Sequence, residues 1–479
     1  MVAADDKKCG CKKWEHRYSV AYKEPIEQDR IRRPPIDGSA IREEPGMTKA
    51  FRIVVASAGL AAGMAHAVLQ PAAAGEIKIG GIFDLTGPFA GGGSKAAALG
   101  TKYAVDYINE QGGVEGNKIV LTIADAQSKI DVAINEAERL INEAKVDAIM
   151  GVYSSAQCVP LSAKVEGAKK FWWATVCISS AVLKDKNLQY VFRPAVHSDQ
   201  YGHASCIFLA ENAKSKLGKE VKDLKVAIIH EDGPYGVGVA TANEEKCKEL
   251  GIQIVHKEGY SATAQDLSAL VSKLRRAKPD VVLHTAYNPD ITLFLRQSKE
   301  AGLKFSMLIG HGAGYSQFSK LSETFGKDVD LIMDIDPVAG QILDPKVFGP
   351  GVAEMVAEML KRWTADGNTG VAPPHLTMGF GNTLVFLQKV LPVAIKKYGG
   401  WDSEALRKAA LDVDIPSGGT IAGFGIKFNP PGDKMAGQNG RSTVVIMQYV
   451  GDKTTVVWPK ELKTADPILP FPAGHAYAP

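Results

Sequence analysis

Val146-Asp-Ala-Ile-Met-Gly-Val-Tyr153, then Ser154-Ser155, a segment able to form a helix, Phe171-Trp-Trp-Ala-Thr-Val176 and Cys177-Ile-Ser179-Ser180 make up the passage that decides the fold. Both apolar runs have the length of buried strands. Each ends in small hydroxyl residues and is followed by a segment able to form a helix. In a doubly wound sheet such turns lie outside the carboxyl ends of the strands, where ligands bind. Hydroxyls and free backbone N–H groups at helix starts form a seat for an anion. Either turn alone is as readily an ordinary N-cap, because serine caps helices anywhere. Two such turns on neighbouring strands point to a seat.

Working outward from this passage, strand and helix patterns alternate on both sides. Upstream, Ile77–Phe83 reads as a strand and Asp84-Leu-Thr-Gly-Pro-Phe-Ala-Gly-Gly-Gly93 as a loop of tight turns. Ser94 is expected to cap a helix carrying Leu99, Tyr103 and Tyr107, followed by strand Ile119–Ile123 and helix Asp131–Ala144. Downstream, Phe192-Arg-Pro194 interrupts the pattern and a second series begins. It runs through helix 199–217, strand Val226–His230, helix 237–250, strand Ile252–Val255, helix Gln265–Ala277, strand Val281–Thr285 and helix 290–301. Strands Met307–Gly310 and Leu331–Met333 follow, and Asp334-Ile-Asp-Pro337 reads as a second break. Helices near 351–365, 375–397 and 402–412 come next, then two β-rich runs joined by the hairpin signal Gly451-Asp452.

This alternation predicts an α/β protein of two Rossmann-like lobes with parallel sheets, joined by a multi-strand hinge. Residues 75–195 and 338–415 are assigned to lobe I, and 196–337 and 416–462 to lobe II. Residues 463–479 read as a surface tail. The crossings fall near Pro194, near Pro337 and around 413–424. The cleft between the lobes is the expected place for a small ligand.

Met47–Ala74 reads as a signal peptide. Lys49 and Arg52 precede the apolar run Ile53–Ala62, and Ala72-Ala73-Ala74 gives a small-x-small cleavage pattern before Gly75; Ala65-His66-Ala67 is an alternative site. The run is too short for a spanning helix, which needs about 20 residues. On this reading Met47 is the initiator, residues 1–46 are an extension from an early start codon, and the mature protein is periplasmic. From Gly75 onward 44 basic residues balance 44 acidic ones, so no nucleic acid is implied. The exported body keeps Cys158, Cys177, Cys206 and Cys247. Cys158 and Cys177 flank the seat and are the best candidates for a disulfide; buried free thiols fit the sequence equally.

Enzyme motifs are missing from the sequence. There is no Gly-x4-Gly-Lys-Ser/Thr phosphate loop, no Gly-x-Ser-x-Gly elbow, no Ser-x-x-Lys and no Cys-x-x-Cys. His230-Glu231 lacks the second histidine of a zinc protease, so no metal and no cofactor are implied.

Leu85-Thr-Gly-Pro88, Gly93, Ala104-Val-Asp-Tyr-Ile-Asn109 and Gly112-Gly113 together resemble the opening of periplasmic binding proteins of the branched-chain amino acid class. Ser154-Ser155, the 177–180 turn, Asp232-Gly-Pro-Tyr-Gly236 and Leu295–Gly302 follow in that family's order, and the match covers about Gly75 to Trp458. The resemblance implies the type I two-lobed fold and a monomeric receptor that hands a small solute to an ABC permease and its ATPase. A sensor reporting to a membrane partner is the runner-up role. It also implies a carboxylate seat at Ser154, Ser155, Cys177 and Ser179, covered from lobe II by Tyr235 and Tyr287. The family's acid for the substrate ammonium falls at His311, and Gly92 stands where a bulky aromatic is expected. Both departures, with Phe89 close by, point to an aromatic or otherwise bulky acid lacking an α-ammonium. A shifted alignment, with another carboxylate such as Asp232 taking the ammonium, leaves a branched-chain amino acid or amide as the alternative.

Overall fold

In the computed structural model the described residues are 75–337 and 339–479. The expected signal peptide and the extension before it lie outside them. Lobe I is built on a five-stranded parallel sheet of β1 (Glu76–Phe83), β2 (Lys118–Asp125), β3 (Ala148–Gly151), β4 (Phe171–Ala174) and β5 (Val191–Phe192), in the order β2-β1-β3-β4-β5. Helices α1 (Ser94–Glu110), α2 (Ile130–Asn142) and α3 (Ser155–Gly167) connect them. Buried on both faces, β1, β3 and β4 can be almost wholly apolar, which is why they read as uninterrupted runs.

Lobe II begins with α4 (Ser198–Leu217), followed by β6 (Lys225–Glu231), α5 (Pro234–Glu249), β7 (Gln253–Tyr260), α6 (Ser268–Ala277), β8 (Val281–Thr285), α7 (Asn288–Glu300), β9 (Met307–His311), α8 (Phe318–Phe325) and β10 (Met333–Asp336). The chain then returns to lobe I with α9 (Val352–Ala365), α10 (Pro374–Val385), which runs through a π-turn into α11 (Leu391–Tyr398), and α12 (Ser403–Asp412). A two-residue ribbon, β11 (Asp414–Ile415) and β12 (Ile426–Lys427), precedes the hairpin β13 (Val445–Val450) and β14 (Lys453–Trp458). That hairpin completes the lobe II sheet in the order β14-β13-β10-β9-β8-β6-β7. The Pro374–Tyr398 helix is long and apolar because it is a core element. α10 lies against α1, and a Cβ at Gly100 would stand 2.3 Å from the Leu376 carbonyl oxygen, while one at Gly379 would stand 2.1 Å from that of Ala97. Glycine at both positions lets the two backbones touch.

In both sheets the first strand sits between the next two, β1 between β2 and β3, and β6 between β7 and β8. Each lobe therefore has a topological switch point at the carboxyl ends of its central strands, and the loops there face the cleft.

Four local expectations need correction. Ser94 opens α1 without capping it: its hydroxyl accepts the Asp84 N–H at 2.7 Å, and Gly93 is the cap residue. The second hydroxyl turn leads only into a single 3-10 turn, Ser180–Val182. The strand expected at Leu331–Met333 starts at Met333 and includes Asp334 and Asp336, acids that the sequence pattern assigns to a break. Residues 463–479 are not a surface tail. Phe471 and Tyr477 are buried, Tyr477 stacks on Phe305 at 5.2 Å, and its carbonyl accepts the Phe305 N–H. The first lobe's core also reaches beyond 415, through Ile421, Ile426 and Phe428.

Candidate functional site

A small pocket lies between the lobes, the place where small ligands sit in proteins of two domains. From lobe I it receives Tyr153 and Ser155 beyond β3, Val176 and Ile178 beyond β4, and His375 and Met378 on α10. From lobe II come Tyr201 on α4, Tyr235 at the start of α5, Tyr287 beyond β8, Gly312 and Ala313 beyond β9, and Asp336 at the end of β10. The lobes meet around it. Phe89 packs on Tyr287 at 4.4 Å, Tyr153 lies 6.2 Å from Tyr287, and the Ser316 hydroxyl and His375 Nδ1 are 3.3 Å apart. The walls are therefore mainly aromatic and apolar.

Polar groups come from both lobes. In lobe I, Ser154 is the N-cap residue of α3 but makes no side-chain cap bond, and the first N–H groups of a helix have no carbonyl within it to bond. The Ser155 hydroxyl accepts the Ser179 N–H at 3.2 Å, while the fully buried Ser179 Oγ has no partner within 3.5 Å. From lobe II comes Asp336. Its Oδ1 accepts the Tyr201 hydroxyl at 2.7 Å, and its Oδ2 is buried with no partner within 3.5 Å. Burial raises its pKa to about 7, against the opposing pull of the Tyr201 hydroxyl and, after it, the nearby Ser316 hydroxyl. Burial and the nearby Asp336 also hold Asp334 well above the carboxylate range, although its Oδ1 accepts the Gly312 N–H at 2.7 Å. Burial keeps His375 neutral, down at about 4.

Of the residues singled out from sequence, Ser155, Tyr235 and Tyr287 line this pocket. Ser154 and Ser179 lie directly behind Ser155, and Phe89 backs Tyr287. Gly92 ends the short helix Ala90–Gly92. Two expectations fail. Cys177 offers the seat neither sulfur nor N–H: the sulfur is bonded to Cys158 and the N–H donates to the Val152 carbonyl. His311 does not face the pocket. It is wholly buried in the sheet with Nδ1 2.9 Å from the Thr285 hydroxyl and Nε2 2.7 Å from that of Ser205, and burial lowers its pKa to about 3. Its carbonyl instead accepts the Tyr235 hydroxyl. Asp232 is exposed and outside the lining.

Asp336 is the important residue that sequence reasoning passed over. The available signal was Met333-Asp-Ile-Asp336 itself, two acids at i and i+2 closing an apolar strand and so on one face of the sheet. A second disulfide, Cys206–Cys247, ties α4 to α5 in lobe II. No cluster of metal-ligating residues occurs among the described residues.

The sequence profile of periplasmic binding proteins matches residues 76–429. A Leu/Ile/Val-binding protein homologue from Brucella suis is 35% identical over 419 residues, which is 87% of this chain and 98% of the relative. Among solved structures, a leucine-binding protein from Thermotoga maritima superposes with a TM-score of 0.64 at 22% identity, covering 79% of this chain and 97% of that one. A branched-chain amino acid transporter substrate-binding protein from Streptococcus pneumoniae, in complex with isoleucine, gives 0.63 at 19% identity over 80% and 100%. At those identities the two structures speak to the fold.

Proposed function

The chain belongs to the periplasmic binding protein family, and from that premise we propose that it is the substrate-binding component of an ABC transporter for an α-amino acid with an apolar side chain. The observation that carries the reading is Asp336, a buried carboxylate with an oxygen unpartnered within 3.5 Å, in the lobe II lining of an apolar pocket whose lobe I lining includes Ser155 at the α3 amino terminus. A zwitterion matches both sets of groups. Its carboxylate takes hydroxyl and N–H donors, its ammonium takes Asp336, and its side chain lies against Tyr153, Tyr235, Tyr287 and Met378. Relatives named as Leu/Ile/Val-binding protein homologues and a fold neighbour holding isoleucine support an aliphatic ligand.

The aromatic acid without an ammonium is the second reading. Its support from His311 is gone, because that ring lies inside the sheet; the ring-lined walls still favour it. In this proposal the protein works as a monomer in the periplasm, exported by residues 47–74, and closes its lobes on the ligand before meeting a permease and ATPase at the inner membrane. Closure removes the ligand's charges from water and strengthens each hydrogen bond.

A melting screen tests the ligand class. At 100 times its dissociation constant a ligand stabilises the fold by about 2.7 kcal/mol. Leucine, isoleucine or valine is expected to raise the melting temperature, and benzoate and cinnamate to leave it unchanged. The reverse result would hand the site to the aromatic acids.

A further inference from the structure

Arg193 stands where the chain first leaves lobe I, between β5 and α4, with its side chain wholly buried. Its Nη1 donates to the carbonyls of Ser179 at 2.7 Å and Cys177 at 3.4 Å, and its Nε donates to Gln438 Oε1 at 2.6 Å. Nη2 has no partner within 3.5 Å. No carboxylate pairs with this cation among the described residues. Asp199 acts on it from a distance, but its oxygens are engaged by the Ser180 hydroxyl at 2.7 Å and Lys184 Nζ at 3.2 Å. The Arg193 backbone joins two crossings as well, donating to the Gly437 carbonyl and accepting from the Asn439 N–H, each at 2.9 Å.

A buried cation without a counter-ion is costly to keep. This one holds the carbonyls of the loop whose Ser179 N–H reaches the pocket residue Ser155. We propose that Arg193 is the counter-charge built into the hinge for the ligand's carboxylate, a positioning residue that holds the Cys177–Ser179 loop and makes the Ser155 side of the pocket electropositive. The inference rests on the reading that the ligand presents a carboxylate on that side. Because the intervening groups are buried, the attraction is weakly screened, and a neutral amide in the same place gains none of it.

Calorimetry with leucine and leucinamide on the whole chain tests this. Wild-type protein is expected to prefer leucine at least tenfold. Arg193→Gln is expected to narrow that preference about tenfold, or about 1.4 kcal/mol, and Arg193→Lys to restore most of it. Equal weakening of both probes in Arg193→Gln would mean a merely structural arginine and overturn the proposal. Should Arg193→Gln not fold, Gln438→Glu neutralises the guanidinium in place and is expected to narrow the preference similarly; an unchanged ratio there also overturns it. Wild-type protein that binds neither probe, or both equally, removes the carboxylate reading itself and the proposal with it.

Discussion

Lobe I meets the cleft with the Ser155 hydroxyl at a helix amino terminus, one tyrosine and a neutral histidine, whereas lobe II meets it with three tyrosines and an aspartate. The first set has no ionised side chain in contact with the pocket, so its ability to hold an anion is present at any ordinary pH. The second set contains Asp336, whose charge changes near neutrality. The difference suggests a division of labour: lobe I is a fixed seat, and lobe II is a cover whose protonation follows the ligand.

The sharpest way to break that comparison is at Asp336. Removing one partner of a buried ion pair costs roughly 3–5 kcal/mol, so Asp336→Asn is expected to weaken leucine binding at least about 100-fold by calorimetry. Wild-type affinity in that variant would deny lobe II its charge-reading role.

The disulfides extend the contrast to stability. Replacing Cys158 and Cys177 together by alanine opens a 19-residue separation, and replacing Cys206 and Cys247 opens one of 41. The chain-entropy relation gives losses of about 3 and about 4 kcal/mol, to be read from urea unfolding. Only the lobe I pair, which follows the seat directly, is expected to cost ligand affinity too. If both pairs affect affinity alike, the seat is no more fixed than the cover.

Ser155→Ala probes the seat itself. Loss of a hydrogen bond to a charged group costs roughly 1.5–3 kcal/mol, so leucine should bind about 10–150-fold more weakly with the fold intact. Unchanged affinity would move the carboxylate elsewhere.

The smallest effect per step is in pH. Folding raises the Asp336 pKa from the ordinary carboxylate value to about 7. Between about pH 4 and 7 the folded protein therefore holds a proton that the unfolded chain has released. Its contribution to ligand-free stability is fully present at low pH and is lost as pH rises through about 7. An ammonium needs the ionised form, so amino-acid binding releases that proton, and affinity should rise from pH 5 to 7 by up to about tenfold per unit. A carboxylate without an ammonium should show the opposite trend. Calorimetry in buffers of different ionisation heat distinguishes them.

How much of this was readable in advance varies with the range of the interactions involved. The apolar runs Ala148–Gly151, Phe171–Ala174 and Val281–Thr285 carry their burial in their composition, and the turn residues after them mark where the strands stop. That placed Ser155, Tyr235 and Tyr287 at strand ends facing a cleft. Chemistry at residue 311 could not be inferred the same way. A histidine after an apolar strand can turn inward or outward, and the hydroxyls of Ser205 and Thr285, 106 and 26 residues away, hold it inward. Asp336 is the converse case. Acids ordinarily mark turns, and the hydroxyl of Tyr201, 135 residues earlier, helps make a buried strand position acceptable for this one.

By itself the sequence determined what depends on near neighbours: the alternation of strand and helix, the two lobes, the apolar cores and the loops that line the cleft. Tertiary structure alone decided which polar groups inside those loops remain unpaired. A hydrogen bond satisfied across a hundred residues leaves no local trace, and groups left over, among them Asp336 Oδ2, Ser179 Oγ and Arg193 Nη2, are known only once every other partner has been placed.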